Sequence, residues 1–195
     1  FFELIGIGIM AKPLLEIEAE GPFVVVCMQE CKRMNYLLTE IKGTLQDLEK
    51  GFAGLLNMSQ KMEDLSEALG KNQTPGRNPF HTCNWEFYAW PSVKFLAPWW
   101  GNLVARCGFL TNWSADLARP LVSWFSGLFN SIALITALMQ VTARSESLPL
   151  DKMTTETHCT LMWDIDEADH NPKDGQLVYG LFMEGARWPA KAEVE

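Results

Sequence analysis

The sequence predicts an α+β protein, mainly helical through its first three quarters and turning to strands near its end. Three observations carry that expectation. Apolar side chains recur in steps of three and four along Val24, Cys27, Cys31, Met34, Leu38, Ile41, Leu45, Leu48, Phe52 and Leu55, resuming at Met62, Leu65 and Leu69. The same spacing returns at Trp99, Leu103, Val104, Cys107 and Leu110. After Pro149 it gives way to β-branched and aromatic runs flanking the turn sequence Asn171-Pro172-Lys173-Asp174-Gly175.

Residues Phe1 to Lys12 are apolar but lack a basic n-region and a clear cleavage site, so they read as a buried strand or helix end rather than a signal peptide. Residues 1–22 form a lead-in that closes on Glu16, Glu18, Glu20 and Gly21-Pro22, a turn with acidic side chains near the positive end of the next helix. That helix is expected over Phe23 to Lys50. Gln29, Glu30, Lys32, Arg33, Glu40, Lys42, Gln46, Asp47, Glu49 and Lys50 fill the positions between the stripe residues and mark a solvated face. Gly43, Gly51 and Gly54 each cost about 1 kcal/mol relative to alanine in a helix and argue against one unbroken rod. A second helix over Ser59 to Leu69, capped by Ser59, follows, and the two pack within one polypeptide rather than as an intermolecular coiled coil.

Between Gly70 and Pro91 the texture changes to Gly, Asn, Thr and Pro, with an aromatic strip from Trp85 to Trp90, which marks a loop. A third helix is expected over Pro98 to Trp113, with Pro98 in its first turn. Leu121 to Ala143 holds no charged residue over 23 positions and is bracketed by Arg119 and Arg144, long enough to span a bilayer. Seven polar residues and Gly127 interrupt it, so two short buried helices broken at Gly127 to Ser131, the second capped by Ser131 over Ile132 to Ala143, account for it equally well. Thr157 to Ile165 and Gln176 to Met183 read as two strands of an antiparallel hairpin. The helical subdomain is thus 23–147 and the β part 148–195.

Composition excludes several functions. A 48% hydrophobic content rules out a disordered protein, and a net charge of −8 with no basic stripe argues against nucleic acid as a partner. Five cysteines without paired spacing fit a reducing, intracellular compartment. Cys27 and Cys31 share a helical face with no further ligand beside them, which makes buried thiols of them rather than a metal site. Glycosylation patterns at Asn57, Asn72 and Asn112 would matter only in a secreted protein. Asp164, Asp166, Glu167 and Asp169 crowd together, but Ala168 interrupts the calcium-loop spacing. His158 and Cys159 are adjacent and would face opposite sides of a strand; His81 and His170 stand elsewhere, and no phosphate-binding loop surrounds Gly70-Lys71-Asn72. No catalytic, cofactor-binding or metal residues emerge, and by itself the protein reads as not an enzyme.

Several segments, in order, resemble the C-terminal region of dynein heavy chains, which follows the sixth AAA+ module of the motor ring. They are the helix start from Gln29-Glu30 to Leu38, Leu45 to Ser59, the run from Trp90 to Leu96 with Trp99, Asn102 to Arg106, Trp124 to Phe129, Leu148 to Asp151, and, most specific, Val178 to Trp188. The details are more similar to axonemal than to cytoplasmic dyneins. The resemblance implies a helical layer followed by a small antiparallel β-barrel. Seven residues follow Trp188 where the family carries further strands, so the barrel is expected to be incomplete. It further implies a non-catalytic part supporting and regulating the AAA+ ring in microtubule-based ciliary movement, in the cytoplasm at the axoneme of a cilium or flagellum. Implied partners are the AAA+ modules of the same heavy chain and other dynein subunits of an axonemal complex. Microtubules would be met only indirectly, there would be no cofactor, and the 121–143 stretch would lie in a helical layer. A membrane-associated protein using 121–143 is the alternative.

Overall fold

The long apolar stripe becomes a single 31-residue helix, α1 (Pro22–Phe52), in the computed structural model, which describes residues 21–181 except 77, 79, 81 and 163. Pro22 occupies its first position, where no N–H partner is needed. The helix runs through Gly43 without a break and spans about 46 Å at 1.5 Å per residue. It turns into α2 (Gln60–Gly70), and the Ser59 Oγ accepts from the backbone N–H of Met62, as expected of an N-cap.

The reversal between the two helices depends on Gly54, at φ +72°, a conformation side chains resist. A third helix, α3 (Leu96–Asp116), has Pro98 in its first turn, where a missing N–H costs nothing. It is followed by a three-residue strand β1 (Val122–Trp124), a 3-10 turn (Phe125–Gly127), α4 (Ser131–Ser145) and a second short strand β2 (Leu177–Tyr179). Both α3 and α4 pack against α1, and α2 lies along it as well.

The core is the α1 stripe and what closes over it. Cys27, Met34, Leu37, Ile41 and Leu48 from α1 meet Leu65 of α2, Trp99, Leu103 and Leu110 of α3 and Leu134 of α4, all buried. The loop before α3 contributes Cys83, Trp85 and Trp90 to the same cluster. Trp85 stacks on Trp99 at 6.2 Å and 24°, and Trp90 stacks on Trp99 at 5.3 Å and 12°. Trp85 Nε1 donates to Thr44 Oγ1 at 3.0 Å, which pins this loop to the middle of α1. Asp64 of α2 holds the same loop three residues earlier by accepting from the Thr82 N–H and hydroxyl at 2.7 and 2.9 Å.

Several expectations are corrected. The stripe stops at Leu48: Phe52 and Leu55 are exposed, because the backbone bends at Gly51 to Gly54 and carries them off the buried face. Glu30, expected on the solvated face, is buried. The uncharged stretch holds one helix rather than two, since Val122–Trp124 finds a strand partner, and its cap is Asn130, whose Oδ1 accepts from Ala133 N–H, rather than Ser131.

The two strands pair in parallel, Val122 with Leu177 and Trp124 with Tyr179, not as an antiparallel hairpin. The fifty-odd residues between them, α4 included, form the long connection that parallel pairing requires. Thr157 to Ile165 is not a strand: its described residues lie exposed with no partner strand, and β-branched composition alone does not make one. The antiparallel barrel is therefore not seen among the described residues, and the part of Gln176 to Met183 beyond Leu181, like the lead-in before Gly21, lies outside them. No described helix is long and apolar enough to cross a membrane.

Leu48→Ala should cost about 2–5 kcal/mol of stability, whereas Leu55→Ser should shift it by less than about 0.5 kcal/mol. Chemical denaturation midpoints of the two variants check the contrast, and equal losses would place Leu55 in the core.

Candidate functional site: a buried polar clamp on residues 126–130

The connection from β1 to α4 is gripped from two helices by opposite charges. Glu30, on α1, is 1% exposed; its Oε2 accepts from the Phe129 N–H at 2.6 Å and its Oε1 from the Asn130 N–H at 2.8 Å. The Asn130 N–H belongs to the N-cap of α4 and the Phe129 N–H lies just before it, where the helix dipole also favours a carboxylate. Burial pushes the Glu30 carboxyl above its ordinary range, with the two N–H bonds and the Arg33 and Arg106 charges opposing.

Arg106 works from α3 on the carbonyl side. Its Nη1 donates to Gly127 O at 2.6 Å, its Nη2 to Ser126 O at 2.7 Å and its Nε to Asn102 Oδ1 at 3.0 Å. The guanidinium lies 4.0 Å from the centre of the Trp90 ring and 5.3 Å from that of Trp124. Burial pulls its pKa down to about 10, partly offset by Glu30, so it stays charged at neutral pH.

The strand pair is fastened to the same point. Trp124 stacks on Tyr179 at 6.1 Å and 11°, and its Nε1 donates to Ser126 Oγ at 2.9 Å. Gly127 and Gly180 sit against this indole. A Cβ on Gly127 would come within 2.5 Å of Trp124 Cδ2, and one on Gly180, at φ +77°, within 2.6 Å of Ser126 Oγ. Gln176 Nε2 donates to Pro120 O at 2.9 Å, and Arg119 Nε donates to Gln176 Oε1 at 2.8 Å. These contacts set the register of β2 beside β1.

The residues weighed from sequence for chemistry are not brought together. Cys27 and Cys31 Sγ atoms lie 3.9 Å apart in the core; their mutual hydrogen bond, then burial, push the Cys27 thiol well up and hold it protonated. Burial pushes Cys83 and Cys107 up to about 11 each. His158 is exposed beside Glu156, and Cys159 is exposed. Asp164 caps the 3-10 turn carrying Asp166 and Glu167, while Asp169 contacts His170, all exposed; His81 lies outside the described residues. Asn72 Oδ1 accepts from the Ala97 N–H, so this amide is committed to the start of α3. Among the described residues no three His, Cys, Asp or Glu side chains converge as a metal would require. The α1–α2 junction holds an open cleft of about 220 Å³ lined by Thr44, Asp47, Leu56, Ser59, Lys61 and Leu65, where Ser59 caps α2 and Lys61 pairs with Glu40.

Sequence reasoning passed over Glu30 and Arg106. For Glu30 the signal was its position, three residues after Cys27 and four before Met34, which is stripe spacing. In this arrangement the buried charges of Glu30 and Arg106 hold backbone, as in a structural layer.

Comparison with known proteins gives that layer its family. The family model for the C-terminal domain of the dynein heavy chain matches residues 8–194. The sequence is 43% identical over 170 residues to the dynein beta chain of the flagellar outer arm of Chlamydomonas reinhardtii, an alignment that takes in 87% of its length. It is 39% identical over 185 residues, 95% of its length, to a ciliary dynein beta chain of Tripneustes gratilla. It is 40% identical over 183 residues, 94% of its length, to dynein axonemal heavy chain 11 of Sus scrofa. The protein belongs to the family of dynein C-terminal domains, those of the heavy chains. It spans 4% of the length of each of these relatives.

Glu30→Ala should cost about 1–3 kcal/mol by removing the partner of two backbone N–H groups, and Arg106→Lys a similar amount, because an ammonium cannot fork to both carbonyls. Thermal or denaturant unfolding checks both. A carboxyl whose folded pKa is raised adds stability below its unfolded value, near 4.5, and that contribution is lost as pH rises through the folded pKa. Glu30→Gln should therefore show a smaller loss of stability from acid to neutral pH than the parent; parallel profiles would contradict the assignment.

Proposed function

We propose that this region is a non-catalytic part of an axonemal dynein heavy chain that supports and regulates its AAA+ motor ring in ciliary or flagellar movement. The observation that carries the reading is the clamp. Glu30 and Arg106, both buried, fix one connection between helices and strands, which suits a part whose task is to keep its shape against a neighbour. The names of the relatives, ciliary, flagellar and axonemal dynein chains, support the setting.

On this reading the partners are the AAA+ modules of the same heavy chain and, through them, the other subunits of an axonemal complex. Microtubules are met only through the rest of the motor. ATP hydrolysis belongs to the AAA+ modules. The uncharged stretch 121–143 gives no support to a membrane role, because it is divided among a strand, a 3-10 turn and a 15-residue helix.

Two measurements test this. The purified protein should hydrolyse no ATP and should not co-sediment with microtubules; turnover above buffer would overturn the non-catalytic assignment. A full heavy chain lacking residues 21–181 should show an altered microtubule-stimulated ATPase rate and gliding velocity. If both matched the intact motor, the supporting and regulating role would be wrong.

A further inference from the structure

The turn that leads into β2 carries a dipeptide with covalent chemistry of its own. Asp174-Gly175 is the one Asp-Gly pair in the sequence, which has no Asn-Gly. An aspartyl side chain can react with the backbone nitrogen of the next residue, because attack on Cγ closes a five-membered ring. A side chain on that next residue shields the nitrogen, and glycine has none. The surroundings leave both groups free to meet. Asp174 is exposed and sits in a turn rather than in a helix or strand, and among the described residues neither its carboxyl nor the Gly175 N–H has a hydrogen bond. Asp64, Asp116 and Asp164, by contrast, each accept from a backbone N–H.

We infer that Asp174 is a site of isoaspartate formation and, once converted, a methyl acceptor for a repair enzyme of the protein carboxyl methyltransferase class. The Gly175 nitrogen bonds to Asp174 Cγ, and a carboxyl oxygen leaves as water with the amide proton, giving a succinimide. Water then opens the ring, and opening at the α-carbonyl leaves the main chain running through Cβ and Cγ with a free α-carboxylate beside it. The water lost is regained, and no oxidant or reductant is consumed. The repair enzyme moves a methyl group from S-adenosylmethionine onto that carboxylate, and methanol leaves when the Gly175 nitrogen closes the ring again. The main chain gains one atom in this conversion, between two tethered neighbours. Lys173 Nζ pairs with Glu146 Oε1 at 3.1 Å just past the end of α4, while Gly175 O accepts from Arg119 and Gln176 Nε2 donates to Pro120 O at 2.9 Å. An added atom between tethered points cannot be taken up without one of them letting go, and the exposed ion pair is the weaker of the two.

The test ages the full native heavy chain at neutral pH and physiological temperature, then supplies a protein isoaspartate methyltransferase with methyl-labelled S-adenosylmethionine. Digestion in acid with pepsin preserves both the isomer and its methyl ester. Peptides that contain residue 174 should carry isoaspartate, identified by electron-transfer fragmentation, and the methyl label. Both should be lost in Asp174→Glu, whose longer side chain would have to close a larger ring. Gly175→Ala should slow the conversion and still fold, because a Cβ there comes no closer than 3.5 Å to Pro172. Residue 174 staying aspartyl in the aged native chain while the denatured chain isomerises would overturn the inference, since the folded motor would then be holding the two groups apart. Isoaspartate at 174 that takes no label would overturn its assignment as a methyl acceptor.

Discussion

The structure depends on the five residues 126–130 being held from two sides. Of the two polar groups of the backbone, a carboxylate can bond only the N–H and a guanidinium only the carbonyl oxygen, so the pair reads the direction of the backbone between them. Glu30 takes the N–H groups that open α4, and Arg106 takes the carbonyls that end the preceding 3-10 turn. Reversing or shifting this connection by one residue would present each charge with the wrong partner. Removing both charges in favour of well-packed apolar groups could leave stability unchanged, which is why their value lies in fixing one arrangement.

From that clamp an aromatic line runs outward in both directions. Trp85, Trp99 and Trp90 stack in series, the Arg106 guanidinium lies on Trp90 and near Trp124, and Trp124 stacks on Tyr179. The loop before α3 and the strand pair after it are thereby tied to one guanidinium. The fit is close at the far end, where Gly127 and Gly180 leave space for the indole that no side chain would allow. A two-stranded sheet of three residues each would not persist alone in water; here it is an appendage of the helical layer.

What could be read from the sequence was whatever a local pattern dictates. Helices α1 to α4 follow apolar spacing, and the α1–α2 break falls where Gly51 and Gly54 predict it. The order of helices before strands was legible only in part, since β1 precedes α4. What could not be read depends on partners distant along the polypeptide. Val122–Trp124 is a strand because Leu177–Tyr179, 55 positions later, lies beside it. Thr157 to Ile165, stronger by composition, has no such neighbour and stays irregular. Asn130 rather than Ser131 caps α4 because the Glu30 contacts fix where that helix begins. In the clamp itself, Glu30 shared the stripe's spacing, but its charge outweighed its position in the reading.

The two departures from ordinary patterning lie on the same helix. Glu30, a charge inside, is near the start of α1, and Phe52 and Leu55, apolar groups outside, are at its end. Between them the buried stripe is continuous, the helix passes Gly43 unbroken, and side chains from α2, α3 and α4 pack along it. Close-packed cores deform little, so a displacement imposed at one end of such a helix moves the whole layer instead of being absorbed along the way. Departures from patterning concentrate where function requires them. Here one fixes the helix to the connection between β1 and α4, and the other leaves apolar side chains exposed at its far end. Held near its start by a buried charge and packed along its length, the helix is the frame on which the other three helices are assembled.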